Sequence, residues 1–108
     1  MYLVTRRDLP PGHQATQAAH AAFYFGYEHQ PILRFWHEES QYLVLLSCED
    51  EAALVDLRSR VEAERIAYSE YREPDFNDEL TALAIAPSVA TRRLCANLPL
   101  ALREEAMV

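Results

Sequence analysis

Lysine does not occur in this chain. All ten basic residues are arginine, set against seventeen acids, which gives a formal net charge of -7. A balance of that sign excludes the strongly basic proteins that meet nucleic acid over their whole surface. Any approach to phosphates then requires arginines gathered on one face, and Arg6, Arg7, Arg72, Arg92 and Arg93 all fall near expected element ends. Glycine is nearly as scarce, with Gly12 and Gly26 alone. Two glycines leave no Gly-rich phosphate loop, no Gly-x-Ser-x-Gly elbow and no flexible linker. The two cysteines, Cys48 and Cys95, are isolated, without metal-ligand spacing, so buried free thiols are expected. No apolar run approaches the ~20 residues of a membrane span, and the N-terminus lacks the basic-then-apolar order of a signal peptide. A cytosolic location is the expectation.

What is present suits one compact α/β domain: 108 residues, half of them hydrophobic, with no internal repeat. Tyr2-Leu3-Val4-Thr5 is short, apolar and β-prone, and Leu9-Pro10-Pro11-Gly12 ends it. A helix rich in alanine and glutamine follows over about 13–27, punctuated by Gly26 and Pro31. Ile32 to Trp36 is expected to be a short helical or irregular connector. Gln41 to Ser47 is a nearly continuous apolar run, which predicts a central strand covered on both faces. Asp50-Glu51 suits a helix N-terminus, and Ala53, Leu54, Leu57 and Val61 recur at helical spacing behind it. Ile66–Tyr71 and Leu80–Ala86 are strands, and Pro87-Ser88 opens a last helix to about Asn97. Glu104 to Val108 is the one expected disordered tail. The order predicts a mixed four-stranded sheet with helices on both faces, its strand–helix–strand crossover parallel and its last two strands antiparallel.

The most informative stretch is Gly12-His13-Gln14-Ala15-Thr16-Gln17-Ala18-Ala19-His20-Ala21, entered from Asp8-Leu9. It resembles the signature of the type II peptidyl-tRNA hydrolase family, Asp-Leu followed by Gly-Lys-x-Ala-Ala-Gln-x-x-His-Ala, with His13 standing where the family has lysine. A second block, Thr81-Ala82-Leu83-Ala84-Ile85-Ala86-Pro87, is similar to that family's last core strand, with alanine for its glycine. The resemblance covers roughly residues 1–98 and implies a peptidyl-tRNA hydrolase type II-like domain over 1–108. It also implies hydrolysis of the ester joining a peptide to tRNA, no cofactor, peptidyl-tRNA as the partner and a homodimer.

On that resemblance the catalytic candidates are His13, Glu73, Asp75 and Thr81. His13 sits in the first helical turn, and imidazole can take or return a proton near neutrality. Glu73-Pro74-Asp75 stands where the family has an acidic loop, though the loop here is shorter and lacks the family's glycine and threonine. Either carboxylate fits the place. Thr81 brings a hydroxyl that orients water or ester. Gln17 and His20 share a helix face with His13 and would organise the site by hydrogen bonds. Arg7 and Asn77 complete the substrate-contact set. Taken without the resemblance, these same residues also suit an exposed first helical turn, a solvated acidic loop and a packed β-branched strand residue. His29 and His37, near Glu38 and Glu39, form no known metal-ligand spacing. Tyr24, Phe25, Phe35 and Trp36 are either core or a stacking surface for a base. The competing reading is a catalytically inactive binding module that keeps the fold.

Overall fold

A computed structural model describes residues 1–103. Its elements run β1 (Tyr2–Arg6), α1 (Pro11–Glu28), α2 (Gln30–Glu39), β2 (Val44–Cys48), α3 (Glu51–Ala63), β3 (Tyr68–Glu73), β4 (Glu79–Ile85) and α4 (Val89–Leu94), with a 3₁₀ turn at Pro74–Phe76. The sheet order is β2-β1-β4-β3. β1 pairs with β2 in parallel and with β4 antiparallel, and β3 pairs with β4 antiparallel. The mixed sheet, its parallel crossover and its antiparallel last pair are as the sequence predicts. The expected tail 104–108 lies outside the described residues.

The two faces of the sheet carry different side chains because strand residues alternate. Val4, Leu83 and Ile85 point to the face covered by α3, where Leu54, Leu57 and Val61 meet them. On the opposite face Ala82, Ala84 and Ala86 meet Ala18, Ala21 and Phe25 of α1. Small residues on both sides let this helix lie close to the sheet. Gly26 serves the same end between helices, since a Cβ there would stand 3.0 Å from a Leu33 methyl of α2.

Two expectations are corrected, and of the two readings of residues 32–36 the helical one holds. β2 is the outermost strand rather than a central one. Its parallel crossover places it beside β1, whose other side is taken by β4. The preceding Tyr42 and Leu43 are outside the strand, and both are exposed. The free edge of β2 is instead covered by the chain after α4: Ser47 N donates to Pro99 O and Ala101 N to Leu45 O, both at 2.9 Å. Residues 30–39 form a regular helix, because Pro31 occupies its first turn, where a missing N–H costs nothing. α4 stops at Leu94, short of Asn97, its last turn tightening through Ala96 N to Arg93 O. Both polar-headed helices are capped: Asp50 accepts from Ala53 N at 3.0 Å, and Ser88 from Thr91 N at 2.9 Å.

Cys48 and Cys95 are free and buried, and burial pushes each thiol up to about 11. Their alkylation at pH 8 is expected to run at least about a hundredfold slower in the native protein than in the urea-unfolded chain, read by mass spectrometry. Fast native labelling of either thiol would contradict the packing. Leu54, fully buried under the sheet, gives a second check: Leu54→Ala should lower the unfolding free energy by about 2–5 kcal/mol in a urea titration.

Candidate active site

α1 opens without a cap. Pro10 offers no side-chain acceptor, Pro11 supplies the first helical residue, and no acid lies in the first turn. The first backbone donor engaged in a helical bond is Gln14 N, on Pro10 O at 3.0 Å. The N–H groups of Gly12 and His13 therefore face the mouth without intrahelical partners, and the helix dipole adds partial positive charge there.

Opposite this mouth stands the β3–β4 connection. His13, Thr16 and Gln17 from α1 and Glu73, Asp75 and Phe76 from the connection line one cleft of about 240 Å³. Groups sixty residues apart in sequence are thus brought together. The His13 ring lies nearly parallel to that of Phe76, with centroids 5.5 Å apart and an interplanar angle of 13°. A second lobe of about 480 Å³ shares His13, Asp75 and Phe76 and adds Arg6, Asn77 and Glu79. Asn77 and Asp78 both take positive φ, 55° and 59°. These two short polar residues tolerate the left-handed turn without glycine.

Behind the cleft runs a buried polar relay. Gln17, only 3% exposed, donates from Nε2 to Glu73 Oε2 at 2.9 Å and accepts on Oε1 from the Thr81 hydroxyl at 3.3 Å. Thr81 reaches the α1 face because the sheet bulges there: Tyr71 pairs with Ala82 but Arg72 with Leu80, leaving Thr81 as the extra residue. Its hydroxyl also lies 3.3 Å from Tyr71 O, and the residue is fully buried. Thr81 therefore lies behind Gln17 rather than in the cleft. The Gln17 amide holds the Glu73 carboxyl below the usual carboxylate range, helped by Asp75 N at 3.2 Å. His20 stacks on Tyr71 at 4.1 Å and 4°, so a ring contact stands where hydrogen bonding was expected.

Arg7 is not brought to this cleft; it lines a separate one on the other side of the α1 mouth. Arg6 enters instead. It is 6% exposed, pairs with Asp8 at 2.9 Å and Glu79 at 2.8 Å, and donates to Leu80 O at 3.1 Å. Sequence reasoning missed Arg6 and Phe76 as parts of the site. The alternation of strand residues was the signal for Arg6, and a lone aromatic within an acidic loop was the signal for Phe76. The arginines are not collected into one patch: Arg72 pairs with Glu70 and Arg93 with Glu64. Among the aromatics, Phe25 is core, Tyr24 meets Tyr71 edge-on and Phe35 is exposed. His29 lies 2.9 Å from Tyr68 O. Among the described residues, no group of three or more His, Cys, Asp or Glu side chains is placed to hold a metal ion.

A family model described as Peptidyl-tRNA hydrolase PTH2 matches residues 1–94. No curated protein matches the chain. Among the described residues, no helix is long and apolar enough to cross a membrane.

Because the folded-state pKa of Glu73 is lowered, its bridge to Gln17 contributes at neutral pH and is lost as pH falls through that depressed value. A carbon-detected NMR titration should place the Glu73 midpoint below the ordinary glutamate value, and Gln17→Leu should move it upward. An identical midpoint in the variant would mean that the amide does not hold the carboxylate in solution.

Proposed function

Since this chain belongs to the peptidyl-tRNA hydrolase PTH2 family, we propose that it hydrolyses the ester between a peptidyl or aminoacyl group and the terminal ribose of tRNA, in the cleft at the mouth of α1. The observation that carries this reading is the convergence of His13, Glu73 and Asp75 on one cavity beside unpartnered helical N–H groups. In this reading the protein works as one cytoplasmic domain and needs no cofactor.

The reaction needs a proton acceptor for water, a place for the developing oxyanion and a proton donor for the leaving oxygen. His13 supplies the first and last of these. Its imidazole takes a proton as water attacks the acyl carbon, and returns it to the ribose oxygen when the carbon–oxygen bond breaks. Asp75, which lines both lobes with His13, balances the positive charge that forms on the ring. The Gly12 and His13 N–H groups at the helix mouth face the carbonyl oxygen as it becomes negative. Glu73 is already committed to Gln17 and to Asp75 N, so it shapes the acidic loop. Thr81 acts through Gln17 as a positioning residue. Asn77 lines the second lobe, where it contacts the substrate.

Purified protein incubated with peptidyl-tRNA should release free tRNA, and both His13→Ala and Asp75→Asn should lower kcat by about a hundredfold or more. Thr81→Val should act more weakly and raise KM less than it lowers kcat. Turnover unchanged in the first two variants removes the assigned site. Wild-type protein that binds peptidyl-tRNA without cleaving it would instead mark a binding module. Sedimentation equilibrium tests the homodimer, which is expected at twice the chain mass.

A further inference from the structure

β3 closes one side of the sheet, with β4 as its single neighbouring strand among the described residues. Along an edge strand, successive residues turn their backbone groups alternately to the neighbour and to the open side. Ala67 O and Glu73 O accept from Ala86 N and Asp78 N, on the β4 side. Tyr68 O points the other way and meets His29 Nε2 at 2.9 Å. Residues 68, 70 and 72 therefore present their N–H and C=O groups outward. Proteins ordinarily shield such an edge with a loop, a proline or a bulge in the edge strand. The opposite edge, along β2, is shielded by residues 99–101. On β3 the His29 ring covers Tyr68 O, and the bulge of this pair lies in β4.

Charges on an edge also deter pairing. Here they are one of each sign, two residues apart. Glu70 and Arg72 share the face toward α3, where Glu70 pairs with Arg58 at 3.3 Å and with Arg72 at 2.6 Å. A second β3 laid antiparallel about a two-fold axis at Tyr71 sets each Glu70 opposite the partner's Arg72. Both residues face outward, as a hydrogen-bonded pair requires. An axis at Glu70 would instead oppose two carboxylates, and one at Arg72 two guanidinium groups. In the Tyr71 register Tyr68 stands opposite the partner's Pro74, which has no N–H to give. His29 already occupies that carbonyl, so the ladder ends with its last acceptor satisfied.

The other face of the strand agrees. Tyr71 carries the His20 ring stacked on it and Tyr24 edge-on, which places this flank of α1 beside the open edge. Tyr24 and, one helical step on, Tyr27 are exposed there. A groove of about 350 Å³ runs along the first half of the strand, lined by Glu28, His29, Tyr68, Ser69 and Glu70. In the same register the partner's Glu73 and the partner's Pro74 pass beside it.

We propose that β3 is an interface strand: a second copy of this chain adds to it antiparallel about Tyr71, joining the two sheets into one. The contact is isologous, so each charge pair occurs twice. The inference gives a location and a register to the homodimer that the hydrolase reading expects, and it rests on that expectation. It also ties assembly to the site, because Glu73 lies two residues from the axis and pairing holds the strand that carries the acidic loop.

The test is sedimentation of charge-reversed variants, with circular dichroism to establish that each is folded. Glu70→Arg and Arg72→Glu each set like charges opposite one another at both symmetric positions, and each alone should weaken self-association about tenfold or more. An equimolar mixture of the two variants restores opposite charges at both positions and should associate as the wild type does. Tyr71→Cys should form an intermolecular disulfide on mild oxidation, since the two residues at the axis bring their Cα atoms to about 4.5 Å. Wild-type protein that stays monomeric at millimolar concentration overturns the interface and the homodimer together. A dimer indifferent to both reversals overturns this surface alone, with two copies joined elsewhere. Variants that dissociate without recovery on mixing, or a Tyr71→Cys chain that forms no cross-link, overturn the register.

Discussion

The Gln17 amide is the joint on which the arrangement depends. It is buried between α1 and the sheet, and its two ends are spoken for by Thr81 and Glu73. A buried amide without partners costs about 1–3 kcal/mol per orphaned group, so the helix has one low-energy rotation against β4. That rotation sets where His13 and the free N–H groups open. The alanines on both sides of the contact make it possible, since larger side chains at Ala18, Ala21, Ala82 or Ala84 would lift the helix away from the threonine. The network contributes little net stability, and its effect is geometric.

Much of this was legible in the sequence, for physical reasons that differ by element. The alanine-rich stretch after Pro-Pro-Gly reads as a helix lying close to something, and the structure shows that partner to be β4. The apolar run 41–47 misled because apolarity reports burial, not position in a sheet. β2 is an edge strand whose edge is sealed by residues 99–101, a contact with no periodic signature. Thr81 was found through the resemblance, but its place behind Gln17 follows from a bulge. No pattern of one strand reveals that register shift, because it exists only in the pairing of two. The acidic loop was recognised, whereas its aromatic partner Phe76 was overlooked in a segment taken as polar.

Whole-chain charge proved a poor guide to the surface that matters. The net value of -7 includes carboxylates at the α1 mouth, Glu73, Asp75 and Glu79 among them, while pairs such as Arg60–Asp56 and Arg93–Glu64 cancel locally. At the mouth itself the surroundings change between Arg6, the last residue of β1, and Arg7 just after it. Arg6 is absorbed by two carboxylates, while Arg7 keeps its charge on the other side. With a screening length of about 8 Å at physiological salt, the nearest groups dominate what an approaching phosphate feels. Among the described residues, the His13 cleft is lined by carboxylates and its neighbour by Arg7 and Arg103, so the two differ in local sign.

The exchange of the motif lysine for histidine is the deepest departure from the family pattern, and the loop explains how the site accommodates it. A lysine ammonium sits at the end of four flexible carbons and can span a gap to its partner. An imidazole at the same first-turn position is short and planar, so only groups carried close to it meet it. The 3₁₀ turn Pro74–Phe76 does this, laying an aromatic plane along the ring at 5.5 Å while Asp75 lines the same cleft. Asn77 and Asp78, in left-handed conformation, allow that tight return without glycine. Histidine at this position, the tight turn and the Phe76 ring stacked on it are thus linked by reach.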